Sequence, residues 1–425
     1  LSKLIIMKSA RQRKHLTSDR KNGQCRKKCR LEFEETASQP FLQAILCSIG
    51  VAGCLLIACL LYVEFCLPSP IEPEAYTFAP IPKFEGPLQP NNELQTIETI
   101  NQNSYRGPES LAFHNGKIYT GVADGRIVEI DLKTSELRTV VETLGVPPCG
   151  GLVNERHCGR PLGLRIVDDY IYTVDAYLGL FKISIKTGMT YNLLKASDPL
   201  PDGYPALFLN DLEVGDQGKI YMTDSSNKYQ RDNHPYVGFE GSARGRLIEF
   251  DMNTNTTKIL LRDLYFANGV QFTPDRESLL ITEMSRCRVI RYFLRGPRAG
   301  RSEIFSDNLP GLPDNIRPSS RGGYWVAFAV TRHPDLWSIW DSTSPYPWVK
   351  RVIAKTVDKF AIGRMVPSYG LVVELDGQGN VINSLHDQNG TILPLSSEVR
   401  EYEGHLYFGL YFLPFLGKYK LPSDL

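Results

Sequence analysis

A short pattern of alternating apolar and polar positions, bounded by turn residues, recurs six times along this chain. The first copy runs from Glu109 to Asp131, ESLAFHNGKIYTGVADGRIVEID. It contains an apolar run, a turn at His114-Asn115-Gly116, an alternating strand, a second turn at Asp124-Gly125 and a strand running out to Asp131. The pattern returns in DYIYTVDAYLGLFKISIKTG from Asp169, in GKIYMTD from Gly218 with RGRLIEFDMNTNT from Arg244, and in SLLITEMSRCRVIRYF from Ser278. It returns again in GGYWVAF from Gly322 with GLVVELDGQGNVINSL from Gly370, and in GHLYFGLYFLPFLGKYKL from Gly404. The copied strands begin near Ile118, Ile171, Ile220, Leu279, Tyr324 and Leu406. Most intervals are therefore about 45 to 60 residues, the length of a four-stranded propeller blade.

These copies predict an all-β fold, a six-bladed β-propeller over residues 94–425. The strand within LQTIETI, residues 94–100, precedes the first copy and is expected to complete the last blade, because closing the ring protects exposed sheet edges. The one long interval comes from residues 331–367, which interrupt the fifth copy. There 348–360 sets Val349, Val352, Ile353, Val357 and Phe360 on one stripe, predicting a helix that packs on the propeller and narrows its entrance, helped by Trp337 and Trp340.

Residues 41–63 are 23 positions without a charge, long enough for a transmembrane helix. Before them, residues 1–40 carry eleven Lys/Arg against four Asp/Glu, so +7 of the chain's net +1 sits in this tail and −6 in the rest. Positive charge stays on the cytosolic side. The expected topology is therefore a single-pass type II membrane protein, a signal anchor with a disordered cytosolic N-terminus and a lumenal or extracellular propeller, at the plasma membrane or endoplasmic reticulum. Basic charge confined to a tail argues against nucleic acid as a partner and leaves membrane lipid, through the helix. Residues 64–93 hold seven prolines and suit a stiff linker lifting the propeller off the bilayer.

In an oxidising compartment Cys149 and Cys158, which bracket a Gly-rich loop, read as a disulfide. Asn255 and Asn389 open glycosylation sequons on the same predicted side. One polar position also keeps its phase: Glu109 precedes Ile118 by nine residues, Asn210 precedes Ile220 by ten, Asn268 precedes Leu279 by eleven, and Asn315, beside Asp314, precedes Tyr324 by nine. Residues of this kind before strands are also common turn and capping groups. If the run after each is the innermost strand of its blade, all of them point into the central channel. That makes an all-oxygen set with two negative charges, suited to Ca²⁺ and unsuited to zinc.

FLNDLEV, FANGVQFTPD, LPDNI, CGRPLG and the closing SLHDQNG, SEV and GHLYFGL resemble the strictosidine synthase-like branch of the paraoxonase-type six-bladed propellers, over nearly the whole chain. The resemblance implies that Glu109, Asn210, Asn268, Asp314 and Asn315 bind a catalytic Ca²⁺ at the channel top. The lactonases of this group carry a histidine dyad on the second blade, where this chain has Leu162 and Ala176, neither able to move a proton. The plant synthases use a glutamate before the final blade; Glu398 lies in that region, and strictosidine synthesis is not expected. The expected activity is weak hydrolysis of small hydrophobic or aryl esters, with His333 as a candidate proton carrier. The alternative is a non-catalytic binding or scaffolding propeller with a structural Ca²⁺.

Overall fold

The computed structural model describes residues 22–147, 149 and 154–422. The chain divides into two compact units, Leu1–Leu67 and Pro68–Leu425. In the first, α1 runs from Asn22 to Cys66, and Gln43–Cys66 within it is long and apolar enough to cross a membrane. The helix starts well before the apolar stretch, so residues 22–40, expected to be disordered, are helical. Straight-chain Arg, Lys, Leu and Glu dominate 26–35, and such residues lose little freedom in a helix. Residues 1–21 lie outside the described part.

The second unit is a six-bladed propeller of four-stranded antiparallel sheets. Strand β1 is Glu98–Ile100. Blade 1 is β2–β5 (Ala112–His114, Lys117–Gly121, Ile127–Asp131, Leu137–Val141) and blade 2 is β6–β9 (Pro161–Val167, Tyr170–Asp175, Gly179–Ser184, Thr190–Lys195). Blade 3 is β10–β13 (Leu209–Val214, Lys219–Asp224, Gly245–Asp251, Thr256–Leu264) and blade 4 is β14–β17 (Ala267–Phe272, Ser278–Glu283, Arg288–Phe293, Ser302–Ser306). Blade 5 is β18–β21 (Gly311–Pro318, Tyr324–Thr331, Gly370–Leu375, Val381–Asp387). Blade 6 is β22–β24 (Glu398–Tyr402, His405–Gly409, Leu416–Lys420) with β1 on its outer edge, where Glu98 pairs with Lys418 and Ile100 with Leu416. The early strand thus closes the ring, as expected.

The blades bury apolar faces against their neighbours, so the core is a set of inter-blade layers; Ile118, Ile171, Ile220, Leu279 and Leu406 are all fully buried. Short helices cover one end: α2 (Glu155–Cys158), α3 (His234–Glu240), and α4 (Ile339–Thr343), α5 (Pro347–Thr356) and α6 (Lys359–Arg364) of the insertion. The single helix expected over 348–360 is broken, because Val357 is extended and Asp358 caps α6 through the amides of Phe360 and Ala361. Its buried face is also rotated, with Lys350 and Ala354 inside and Phe360 exposed. Trp340 is buried as expected; Trp337 is not.

The proline-rich segment 68–96 does not stand free as a spacer. Ile71 and Leu94 are fully buried, Tyr229 donates to the Pro70 carbonyl at 2.6 Å, Arg332 to that of Ala79 at 3.1 Å, and Ser384 to that of Pro87 at 2.6 Å. The segment is a strap laid across several blades. Its prolines cannot donate backbone hydrogen bonds, but their carbonyls accept from propeller side chains.

Candidate functional site

Each innermost strand of blades 2 to 5 is interrupted by a β-bulge. The pairing skips from Pro161 to Leu164, Leu209 to Leu212, Ala267 to Val270, and Pro313 to Ile316. The bulged pairs are therefore Leu162-Gly163, Asn210-Asp211, Asn268-Gly269 and Asp314-Asn315. A bulge re-aims side chains out of the regular alternation, and here it turns them toward the channel. By register the structural equivalent of Asn210 and Asn268 is Asp314, with Asn315 in the second bulge position beside Asp211.

A cavity of about 100 Å³ is lined by Glu109, Asn210, Asn268 and Asp314. Asn315 joins this set from behind, its Nδ2 donating to Glu109 Oε1 at 3.1 Å. The amide of Asn210 donates to Ser225 Oγ at 3.0 Å, and that of Asn268 donates to Asp314. The amide nitrogens are thus engaged while the oxygens are not. Glu109 Oε2 and the Oδ1 atoms of Asn210, Asn268 and Asn315 are buried without a hydrogen-bond partner. Burial and the nearby Glu398 carboxylate push Glu109 up to about 8; burial and Glu109 raise Asp314 well above the usual carboxylate range. Among the described residues no three His, Cys, Asp or Glu side chains cluster as a metal site. Two carboxylates and three amide oxygens make a hard donor set, which fits Ca²⁺ and not zinc.

Apolar walls close the cavity: Leu162, Phe208, Phe266, Met284, Leu312 and Trp340. Arg231, His234 and Tyr411 are its remaining polar groups of note. Gly363 of the insertion also lines it, so the inserted helices do narrow this end of the propeller. His333 does not line it. Its ring packs on Phe84 of the strap and on Tyr369, with centroids 4.7 Å away in each case, and Nδ1 accepts from the Asp335 amide. The expectation that His333 carries a proton at the site is therefore corrected.

Farther along the innermost strands lies a second polar layer that sequence reading missed. Arg317 reaches Asp211 at 2.8 Å and Glu398 at 2.7 Å, and Arg165 reaches Glu213 at 2.7 Å and Asp211 at 3.3 Å. Asp211 also accepts from the Val270 amide at 2.9 Å, so it ties blade 3 to blade 4. Burial raises Asp211, but Arg165 and Arg317 outweigh it and hold the carboxyl below its usual range. Glu398 is spent on Arg317 and lies outside the cavity lining. Two threonines of the second strands brace the site: Thr223 Oγ1 donates to the Asn268 carbonyl at 2.5 Å and Thr282 Oγ1 to the Asp314 carbonyl at 2.6 Å, pinning the next blade's bulge. Their signal was present in the sequence as a recurring Thr, in KIYTG, YIYTVD, KIYMTD and SLLITE. Gly269 permits the close approach, since a Cβ there would lie 2.7 Å from the Asn315 Cα.

Cys149 and Cys158 form the expected disulfide, with Cα atoms 5.4 Å apart. Asn255 and Asn389 lie exposed in turns.

Comparison with known proteins agrees with this architecture. The strictosidine synthase family model matches residues 210–297, and the strictosidine synthase-like N-terminal model matches 86–130. Adipocyte plasma membrane-associated protein of Salmo salar is 41% identical over 389 residues, 91% of this chain and 92% of the relative. The protein belongs to this strictosidine synthase-like family. Its human member of the same name is 40% identical over 84% of this chain and 85% of its own length. Strictosidine synthase-like 13 of Arabidopsis thaliana is 35% identical over 68% and 74%. Among solved structures, a gluconolactonase of Xanthomonas campestris superposes with a TM-score of 0.51 at 13% identity, covering 84% of this chain and 97% of its own. A luciferin-regenerating enzyme gives 0.51 at 10% identity, covering 77% and 96%. At such identities the likeness is one of fold. The relatives' names and the apolar helix agree with a single-pass membrane protein.

Proposed function

We propose that this protein is a membrane-anchored, Ca²⁺-dependent hydrolase with weak arylesterase-type activity on small, hydrophobic, activated esters. The observation that carries the reading is the set of buried, unpartnered oxygens on Glu109, Asn210, Asn268 and Asn315, with Asp314 among them, at one end of an apolar cavity. Unsatisfied buried acceptors are costly, and a hard cation satisfies them together. When bound there, Ca²⁺ supplies positive charge to an ester carbonyl and to the oxyanion that develops from it. Phe208, Phe266, Met284 and Leu312 hold the hydrophobic part of the substrate and exclude water from it. Leu162 and Ala176 hold no proton, which limits the activity to esters with good leaving groups.

The test uses the full chain in detergent micelles with phenyl acetate. Turnover is expected, lost with chelator and restored by Ca²⁺; no turnover above the buffer rate overturns the reading. The second reading, a non-catalytic binding propeller, is favoured by the apolar residues of blade 2 and predicts Ca²⁺-dependent melting without turnover.

The proposed orientation is type II, with a cytosolic basic tail and the propeller lumenal or extracellular, at the plasma membrane or endoplasmic reticulum. Glycans on Asn255 and Asn389 follow from it. A gel shift on endoglycosidase treatment that disappears in the N255Q/N389Q double variant is the expected result, and an unglycosylated wild type expressed in secretory cells counts against it.

A further inference from the structure

The cavity has a second polar pole, facing it from the excursion between β11 and β12. Arg231 is anchored there by Glu155, with Nη1 at 2.7 Å from both carboxylate oxygens, and Glu155 also accepts from the Tyr177 hydroxyl at 3.0 Å. Lys359 of the insertion donates to Asn233 Oδ1 at 2.8 Å, fixing the same turn from the other side. His234 follows directly, and its Nδ1 lies 3.0 Å from the Arg231 carbonyl oxygen. A carbonyl only accepts, so Nδ1 carries the proton and Nε2 carries the lone pair. Nε2 makes no hydrogen bond among the described residues, and His234 lines the cavity together with the oxygen set. At this pole of the cavity Arg231 stays charged, Trp340 is a donor only, and burial raises the Tyr411 hydroxyl above its ordinary range, while the carboxylates of Glu109 and Asp314 belong to the opposite, oxygen-rich pole.

We infer that His234 is the proton-transfer residue of this site, taking over from blade 3 the role that blade 2 leaves empty at Leu162 and Ala176. This rests on the esterase reading above. As water attacks, its oxygen bonds to the acyl carbon while its proton passes to His234 Nε2. The bond from the acyl carbon to the leaving oxygen then breaks, and the imidazolium returns the proton to that oxygen, giving the acid and the alcohol or phenol. Burial and the Arg231 charge push His234 down to about 4, so the ring is neutral at neutral pH and Nε2 keeps its lone pair.

The variant His234→Asn keeps an N–H for the Arg231 carbonyl and removes Nε2. Phenyl acetate turnover by the full chain is expected to fall by about a hundredfold or more in H234N, the scale of a lost general base, with an unchanged Ca²⁺-induced shift in melting temperature. In His234→Ala, added imidazole should restore part of the rate. Independently of activity, ¹⁵N NMR of wild type against H234N should assign a neutral ring protonated at Nδ1. Turnover in H234N within about twofold of wild type overturns the assignment while leaving the esterase intact. An Nε2-protonated ring overturns it as well. A wild type silent on phenyl acetate overturns both readings.

Discussion

Glu109 and Asp314 face the cavity among oxygens left without partners, whereas Asp211 and Glu398, in the second polar layer, are each answered by an arginine. Both layers are buried and both are acidic. The difference is the source of the countercharge. The chain itself supplies Arg165 and Arg317 to the inner layer, whereas among the described residues no arginine makes an ion pair with Glu109 or Asp314, so that layer's charge is open to a ligand from solution. A buried ion pair made within the chain contributes to holding the blades together; an uncompensated acidic set weakens the fold until a cation arrives.

The largest effect that would break this contrast is at Arg317. Arg317→Met leaves Asp211 and Glu398 buried with one partner fewer, and is expected to destabilise by about 3 to 5 kcal/mol, read as loss of C_m in urea unfolding, with or without Ca²⁺. Adding Asp211→Asn should recover part of the loss. A mild effect would mean the inner layer is solvated.

The cavity layer should behave in the opposite sense. In wild type, Ca²⁺ at about a hundred times its Kd should add about 2.7 kcal/mol of stability. Glu109→Gln with Asp314→Asn should abolish that gain and the ester turnover, while its stability in chelator equals or exceeds that of chelated wild type. A double variant unstable even in chelator would assign these residues to ordinary turn and capping roles.

A pH series sharpens the contrast further. Glu109 is raised to about 8 in the folded state, so without cation the folded chain binds more protons than the unfolded chain between about 4.5 and 8, and stability falls as pH rises. His234 and His386, both pushed down to about 4, act with the opposite sign, but only below their unfolded value of 6.5. From pH 6.5 to 8, chelated protein should therefore lose stability, and Ca²⁺-loaded protein should lose much less. Asp211, held low by Arg165 and Arg317, is silent in this window. Equal slopes with and without Ca²⁺ would separate Glu109 from the cation.

The smallest effect concerns the pins. Thr282→Val removes the hydroxyl that holds the Asp314 carbonyl and should cost about 1 kcal/mol, with weaker Ca²⁺ binding measured by calorimetry. Thr120→Val, whose hydroxyl hydrogen-bonds to its own neighbour's carbonyl at Gly121 rather than to another blade's bulge, is the matched control without the change in Ca²⁺ affinity.

Much of the fold was legible because its signals are local and repeated. Alternation at Ile118, Ile171 and Ile220, turn residues between strands, and the uncharged run over 41–63 each follow from a few adjacent side chains. Four cavity-lining residues were legible for a subtler reason: propeller symmetry converts equal phase in sequence into convergence in space, so Glu109, Asn210, Asn268 and Asp314 could be found by counting, with Asn315 behind them. Counting failed where symmetry was broken. His234 sits on the long connection between the second and third strands of blade 3 and His333 on the still longer one of blade 5, both outside the repeated pattern, so phase places neither. The strap was misread because proline content reports a stiff, extended backbone and says nothing about what its carbonyls accept from.

By itself the amino-acid sequence determined six blades, their closure by β1, one apolar helix and the disulfide of Cys149 with Cys158. Those properties depend on short-range periodicity or on a symmetry that repeats it. Only the tertiary structure decided which buried acids have partners and which histidine reaches the cavity. Arg317 meets Asp211 from 106 residues away, and His234 meets the cavity through a turn held by Glu155. Charge compensation depends on distances between blades, and no pattern within one blade records them.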